Sequence, residues 1–229
     1  MADRALTLMA VANPGTPRQE LEAWPVGVGV AVLLELHREA FGPSLAAVVS
    51  CPGCHDELEI GLAIDQLAAH GSPPPSAPMR VDAADGAGVA YSVEVRLPTS
   101  ADLRAVAGSG SVDDARRALV DRCVTSATAG GVTVDAGALP DEVLGRVAAT
   151  VEAGDPLAGV ALDLTCPGCG HRWEADLDVA AYVWELVAAA ARRLIGEVHV
   201  LAQAYGWREA DVLALPEARR AAYLDLVAG

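Results

Sequence analysis

The tetrapeptide Cys-Pro-Gly-Cys occurs twice in this chain, at 51–54 and at 166–169, with 111 residues between the two copies. Pro-Gly between two cysteines makes a tight turn that directs both sulfurs, with backbone N–H groups behind them, toward one point. The surrounding sequences correspond at one fixed offset: Cys51/Cys166, Pro52/Pro167, Gly53/Gly168, Cys54/Cys169, Glu59/Glu174 and Leu62/Leu177. A small hydroxyl residue, Ser50 or Thr165, precedes each pair. Leu58, Ile60, Leu62 and Ile64 alternate after the first copy, and Trp173, Ala175, Leu177 and Val179 after the second; Val160, Leu162 and Leu164 alternate before the second. Alternation of this kind predicts strands. The chain therefore carries one supersecondary unit, strand–knuckle–strand, in duplicate.

Two knuckles supply four thiolates, Cys51, Cys54, Cys166 and Cys169, the closed tetrahedral set of a structural zinc site. A typical zinc ribbon separates its pairs by about 15–20 residues, so the long spacing here calls for a subdomain inserted between them. Closing the longer loop adds only ~2 kcal/mol of entropy by the logarithmic rule, against roughly 10–16 kcal/mol for structural zinc ligation in small peptides. Cysteine pairs have three other uses. Disulfides need an oxidising compartment, for which nothing in the chain argues. A redox C-x-x-C opens a helix in a βαβ unit, whereas these precede strands. Two separate half-sites, completed by His55 and His171, are the third. The paired knuckles predict one Zn2+ held by four cysteines, structural in role, with no fifth ligand.

The remaining segments place the knuckles. The 229 residues are 52% hydrophobic, mostly Ala, Val and Leu with a single Phe. This favours helix-rich packing anchored by Trp24, Trp173, Trp184 and Trp207. Leu33, Leu34, His37 and Phe41 at helical spacing predict a helix over 25–40 stopped by Gly42, and the Pro-rich stretch 70–78 opens the insertion. Tyr91, Val93, Val95 and Leu97 alternate as a strand ending at Pro98. Ser100 is placed as the cap of a short helix over 101–107, and Ser111 as the N-cap of a helix over 112–124 with Asp114 at its third position. Cys123 on that helix reads as a small buried hydrophobe, residues 125–131 as loop, and 139–154 as a further helix. From Val179 to Tyr205 apolar residues keep a 3–4 period, Gly206 ends that helix, and two short helices follow, the second opened by Pro216.

The fold class expected is α+β: two β-hairpin zinc knuckles forming one zinc-ribbon-like unit, an inserted α+β segment and a C-terminal helical module. The divisions are 1–71 (N-terminal helix and first knuckle), 72–157 (insertion), 158–180 (second knuckle, packing with the first) and 181–229 (helical docking module).

Net charge is −15, and all sixteen basic residues are arginine. An acidic chain repels a phosphate backbone, which disfavours nucleic acid as a partner. From Arg192 onward five arginines face five acids, so a helix-turn-helix reading of the C-terminus lacks the positive field it needs. The apolar runs at 5–12 and 25–34 fall short of the ~20 residues of a membrane helix, and Asp3 spoils the first as a secretion signal. A cytoplasmic protein without a membrane partner is expected. Five histidines are scattered, His37, His55, His70, His171 and His199, the last read as a packing residue on the long helix. Glu59 and Glu174 read as cross-strand charges near Arg172. No nucleophile elbow, phosphate loop, dinucleotide fingerprint or H-E-x-x-H is present, and the expectation is that the protein is not an enzyme.

The linked order "FGPSLAAVVSCPGC", "VEVRLPTSADL", "ARRALVDRCV", "LDLTCPGCGHRWEADLDV" and "RRLIGEVHVLAQAYGWREADVLALPEARRAAYLDLV" is similar to small proteins encoded in phage-tail-like contractile injection clusters, relatives of the T-even phage baseplate hub assembly chaperones. The Tyr205-Gly206-Trp207 corner with "LALPEARR" is its most distinctive part, and the resemblance covers residues 20–229. It implies a role in building or completing a contractile-tail baseplate by contact with baseplate or tail hub proteins, without catalysis, in the cytoplasm or within the finished particle. The zinc knuckles go beyond the T-even members. The alternative expectation is a zinc-ribbon regulatory protein that binds nucleic acid.

Overall fold

The computed structural model describes residues 2–68, 75 and 77–229; His70 and most of the Pro-rich stretch 70–78 lie outside them. The architecture is α+β. By spatial clustering the chain divides into two units, Met1–Tyr182 and Val183–Gly229.

In the first unit, helix α1 (Ala2–Ala12) uses the N-terminal apolar run as core, burying Leu6, Leu8 and Met9. It packs on the short α2 (Arg18–Glu22) and on α3 (Val26–Phe41). Gly29 of α3 lies where a Cβ would stand 3.1 Å from the Met9 sulfur, so the glycine permits the close crossing. Gly42, at φ +102°, ends α3 as expected. The first hairpin follows, β1 (Ser44–Ser50) and β2 (Glu57–Ala63), then the short α4 (Ile64–Ala68).

The inserted segment is a four-stranded antiparallel meander with helices. Its strands are β3 (Met79–Ala84), β4 (Ala90–Val95), β5 (Val124–Ala129) and β6 (Val132–Thr133), in that spatial order. Helices α5 (Ser100–Val106) and α6 (Val112–Cys123) lie between β4 and β5, and α7 (Asp141–Gly154) follows β6. Val143 and Val147, one turn apart on α7, join Val81, Val93, Val95, Cys123, Ala127 and Leu139 in a single core. Two expectations are corrected here. Residues 125–131 do not form a loop throughout. Val124–Ala129 is a strand, because small Thr, Ser and Ala residues fit against β4 and Ala127 turns inward. The cap of α5 is Thr99, not Ser100: the Thr99 side chain accepts from the Asp102 N–H while the Asp102 carboxylate accepts from the Thr99 N–H.

Asp102 is almost fully buried and anchors more than the cap. It takes a two-pronged bond from Arg96 at 2.6 and 3.0 Å, and another from Arg122 Nε at 3.0 Å, joining the end of β4 to α5 and α6. Burial opposes its charge, but Arg96 and Thr99 outweigh it and hold the carboxyl well below the usual range.

The insertion touches the start of α3 at two points, one just after β4 and one at its C-terminal end. The Val26 N–H donates to the Pro98 carbonyl at 3.0 Å, and the Gly27 N–H donates to the buried carboxylate of Asp155 at 2.8 Å. A Cβ on residue 27 would lie 1.7 Å from Asp155 Oδ1, so no other residue type leaves the acid room. This clasp sets down the second hairpin, β7 (Val160–Thr165) and β8 (Arg172–Leu177), directly after the turn Pro156–Ala158.

Helix α8 (Val179–Tyr205) begins in the first unit. There the Tyr182 hydroxyl accepts from the Ala46 N–H at 3.0 Å and donates to the Ala46 carbonyl at 2.9 Å, closing part of the free edge of β1. Its ring lies 5.7 Å from buried His37, whose Nδ1 meets the Gly42 carbonyl at 3.1 Å. Burial lowers the His37 pKa, with the Gly42 contact pulling the other way.

The second unit holds the rest of α8 with α9 (Glu209–Leu213) and α10 (Glu217–Ala228). Gly206 takes φ +68° and its N–H donates to the Ala202 carbonyl, the predicted helix stop. Beyond it Tyr205, Trp207 and Tyr223 pack ring to ring, with centroids 4.8–5.8 Å apart. Arg220 of α10 pairs with Glu197 of α8 at 2.9 Å. His199 is exposed, not packed as its place on the apolar period suggested. Among the described residues no helix is long and apolar enough to cross a membrane.

Candidate metal centre

The two hairpins are built alike residue for residue. In the first, Ser50 pairs with Glu57, Val48 with Glu59 and Leu45 with Leu62. In the second, Thr165 pairs with Arg172, Asp163 with Glu174 and Val160 with Leu177. The offset that aligned the cysteines maps every pair of the first set onto the second. Each turn is closed the same way. The Cys51 N–H donates to the Asp56 carbonyl and the Cys166 N–H to the His171 carbonyl, both at 2.9 Å. The His55 N–H donates to the Cys51 carbonyl at 2.8 Å, and the Gly170 N–H to that of Cys166 at 2.9 Å. Residues 55 and 170 both take left-handed backbone, φ +64° and +72°. Glycine adopts this without strain; His55 is the one non-glycine residue with positive φ among those described.

The knuckles meet face to face. Cys51 Sγ lies 3.7 Å from Cys169 Sγ, and Cys54 Sγ lies 3.6 Å from Cys166 Sγ. All four sulfurs fall within 4.8 Å of one another, and the chain's fifth cysteine, Cys123, is not among them. A tetrahedral centre with metal–sulfur bonds of about 2.3 Å spaces its sulfurs by about 3.8 Å, so the four thiols fit the corners of such a site. Each first cysteine contacts the other knuckle's second cysteine. The backbone repeats that exchange: a Cβ on Gly53 would stand 3.1 Å from His171 Cγ, and one on Gly168 would stand 2.7 Å from Asp56 Oδ2. Residues 53 and 168 correspond, as do 56 and 171. The two knuckles are therefore related by an approximate two-fold axis passing between the sulfurs, the self-complementary geometry of a symmetric dimer interface formed within one chain.

The sulfurs differ in exposure. Cys51 and Cys166 are buried, Cys54 is intermediate and Cys169 is exposed, so an ion held here would sit at the surface with its inner side covered. The Asp56 N–H bonds Cys54 and the His171 N–H bonds Cys169. The donors to the thiols are backbone N–H groups and not the imidazoles of His55 and His171; the His171 ring stacks on Trp173 at 6.0 Å. Neither histidine joins the cluster, which argues against two half-sites. Burial pushes the Cys51 thiol up, but N–H groups of Cys54 and Gly53 and the thiols of Cys54 and Cys169 outweigh it and bring it down to about 7. Cys54 goes the other way: the Asp56 N–H favours its thiolate, but burial and the thiols of Cys169 and Cys166 raise it. Four thiols so close cannot all ionise without a cation among them.

Glu59 faces Val48 across the first hairpin, and Glu174 faces Asp163 across the second. The second pairing sets two acids opposite one another, with Arg172 two residues from Glu174 on the same face of β8. Cys123 lies in the insertion core, where burial pushes its thiol up to about 11, the inert state expected of it. Sequence reasoning missed the Asp56–Gly168 and His171–Gly53 contacts. Their signal was the correspondence of positions 56 and 171, which carries no chemical likeness. No family model, no curated protein and no solved structure matches the chain.

Proposed function

We propose that this chain is a zinc-stabilised, non-enzymatic assembly protein of a phage or phage-like contractile-tail baseplate, acting through contacts with baseplate or tail hub proteins. The observation that carries the zinc part is the four-sulfur cluster, which closes a loop of 111 residues with a complete ligand set. Four thiolates leave a zinc ion no open position for water or substrate, so the ion acts as a brace. The tail assignment is supported by the linked motif order. An acidic first unit, with eleven arginines against twenty-five acids, suits protein partners better than nucleic acid. The regulator reading needs a face of free arginine. Nine of the sixteen arginines, Arg18, Arg38, Arg80, Arg96, Arg104, Arg117, Arg122, Arg193 and Arg220, are engaged with acids.

Two measurements test the reading. Metal analysis of the purified chain is expected to return one zinc per chain. Co-purification from a strain that carries the tail cluster is expected to recover hub or baseplate proteins. A deletion strain that still assembles normal, working tails would overturn the assembly role.

A further inference from the structure

Two apolar cavities of the first unit, about 350 and 470 Å³, share Val26, Leu103, Ala158 and Gly159 as walls. They form one trough running from the side of α6 and α7, past the start of α3, to the end of β8. Each volume alone is that of a ligand pocket; joined, they are long enough for a stretch of polypeptide. Leu103, Ala158 and Gly159 are exposed along it, so the trough opens to solvent. Its exposed charged lining is one-sided, with Glu152, Asp176 and Asp178 against a single Arg116, while the buried Asp155 is taken up by the Gly27 N–H. It belongs to a unit whose balance is −14, eleven arginines against twenty-five acids.

We propose that this trough docks an apolar segment of a partner protein flanked by arginine or lysine. The apolar side chains fill the walls and the cations meet the acidic rim, a division of labour in which burial supplies affinity and charge supplies rate and choice. The same rim repels an acidic segment, a phosphate backbone or an anionic lipid surface. The inference names a surface for the protein–protein contacts proposed above and rests on that part alone. It does not depend on the tail assignment.

The test uses the zinc-loaded full chain and two labelled synthetic amphipathic peptides of equal length, one of leucine and arginine, the other of leucine and glutamate, read by fluorescence anisotropy. The basic peptide is expected to bind, more weakly as salt rises, and the acidic one not to bind. Gly159 lines both cavities, with φ −141° and no atom within 4 Å of a Cβ position, so Gly159→Phe is the block chosen, its fold checked by a far-UV spectrum and zinc content equal to the parent's. It is expected to weaken binding about tenfold or more, equivalent to about 1.4 kcal/mol. Gly61→Phe, equally free of neighbours but outside the trough, is expected to leave binding unchanged. Equal binding of both peptides, binding of neither, or full binding by Gly159→Phe would overturn the proposal. So would a dimer in sedimentation that Gly159→Phe dissolves, which would give the trough to a second copy of this chain. Any of these results leaves zinc content and hub co-purification untouched as separate measurements.

Discussion

If one ion holds both knuckles, removing either knuckle's thiols and removing all four should cost nearly the same. The perturbations are Cys51→Ala with Cys54→Ala, Cys166→Ala with Cys169→Ala, and the fourfold variant. The magnitude follows from the loop. A cross-link closing about 100 residues contributes about 4.7 kcal/mol through the entropy of the unfolded chain, and here 111 residues separate the pairs. Each double variant should therefore lose about 5 kcal/mol, a large share of the roughly 5–15 kcal/mol available to a whole protein. Once one pair is gone the other has nothing to join, so the fourfold variant should also lose about 5 kcal/mol. The expected coupling between the pairs is then about 5 kcal/mol, far beyond the few tenths seen for independent sites. The assay is urea unfolding followed by tryptophan fluorescence, in excess zinc with a non-thiol reductant and a stabilising osmolyte throughout to keep the transitions in range. A fourfold variant that loses the sum of the two doubles would mean two separate sites and refute the shared centre.

Three further perturbations probe what surrounds the site. His55→Gly removes a left-handed side chain that costs about 1–2 kcal/mol, offset by about 0.4–1 kcal/mol of added unfolded-state freedom; thermal unfolding should show a small gain, while Gly170→Ala at the matching position should show a loss. A gain in Gly170→Ala would contradict the backbone assignment. Burial raises the Asp155 carboxyl against the pull of the Gly27 N–H, so the stability it contributes is complete below the ordinary carboxylate pKa of about 3.9 and is lost as pH rises through the higher folded value. Asp155→Asn should therefore be at least as stable as the parent at neutral pH, with the difference closing toward pH ~4; a variant weaker at neutral pH than in acid would refute this. Asp102 is the opposite case, held low by Arg96 and Thr99 over the cost of burial. Its contribution is present above pH ~4 and lost as pH falls through the depressed folded value. Asp102→Asn should cost about 2 kcal/mol at neutral pH, since both arginines keep contact with water, and progressively less in acid. A cost that does not change with pH would mean the charge is not what matters.

The knuckles were legible in the sequence because their information is local. Pro-Gly turns, flanking alternation and a constant offset specify each hairpin without reference to the other, and the register of β1 with β2 reappears in β7 with β8. Helices α3, α6, α7 and α8 were legible from apolar spacing and their stops. Strand β5 was not, because Thr-Ser-Ala-Thr-Ala carries its strand character only when β4 lies alongside. The clasp of Asp155 on Gly27 was hidden for a like reason. It joins residues 128 apart, and neither an acid after a helix nor a glycine in one announces the other. The exchange of contacts across the four sulfurs also needed coordinates, since a repeat in sequence does not say whether its copies face each other or stand apart.

A two-fold arrangement within one chain has a consequence for synthesis. The first knuckle leaves the ribosome about 115 residues before the second, which at about 5–20 residues per second is roughly 6–23 seconds. Through that interval the nascent chain presents half a centre whose complement is a near copy of itself. Two growing chains on one message could then close the centre between them. If one ion joins the knuckles, fast delivery of the second favours closure within each polypeptide over closure between neighbours.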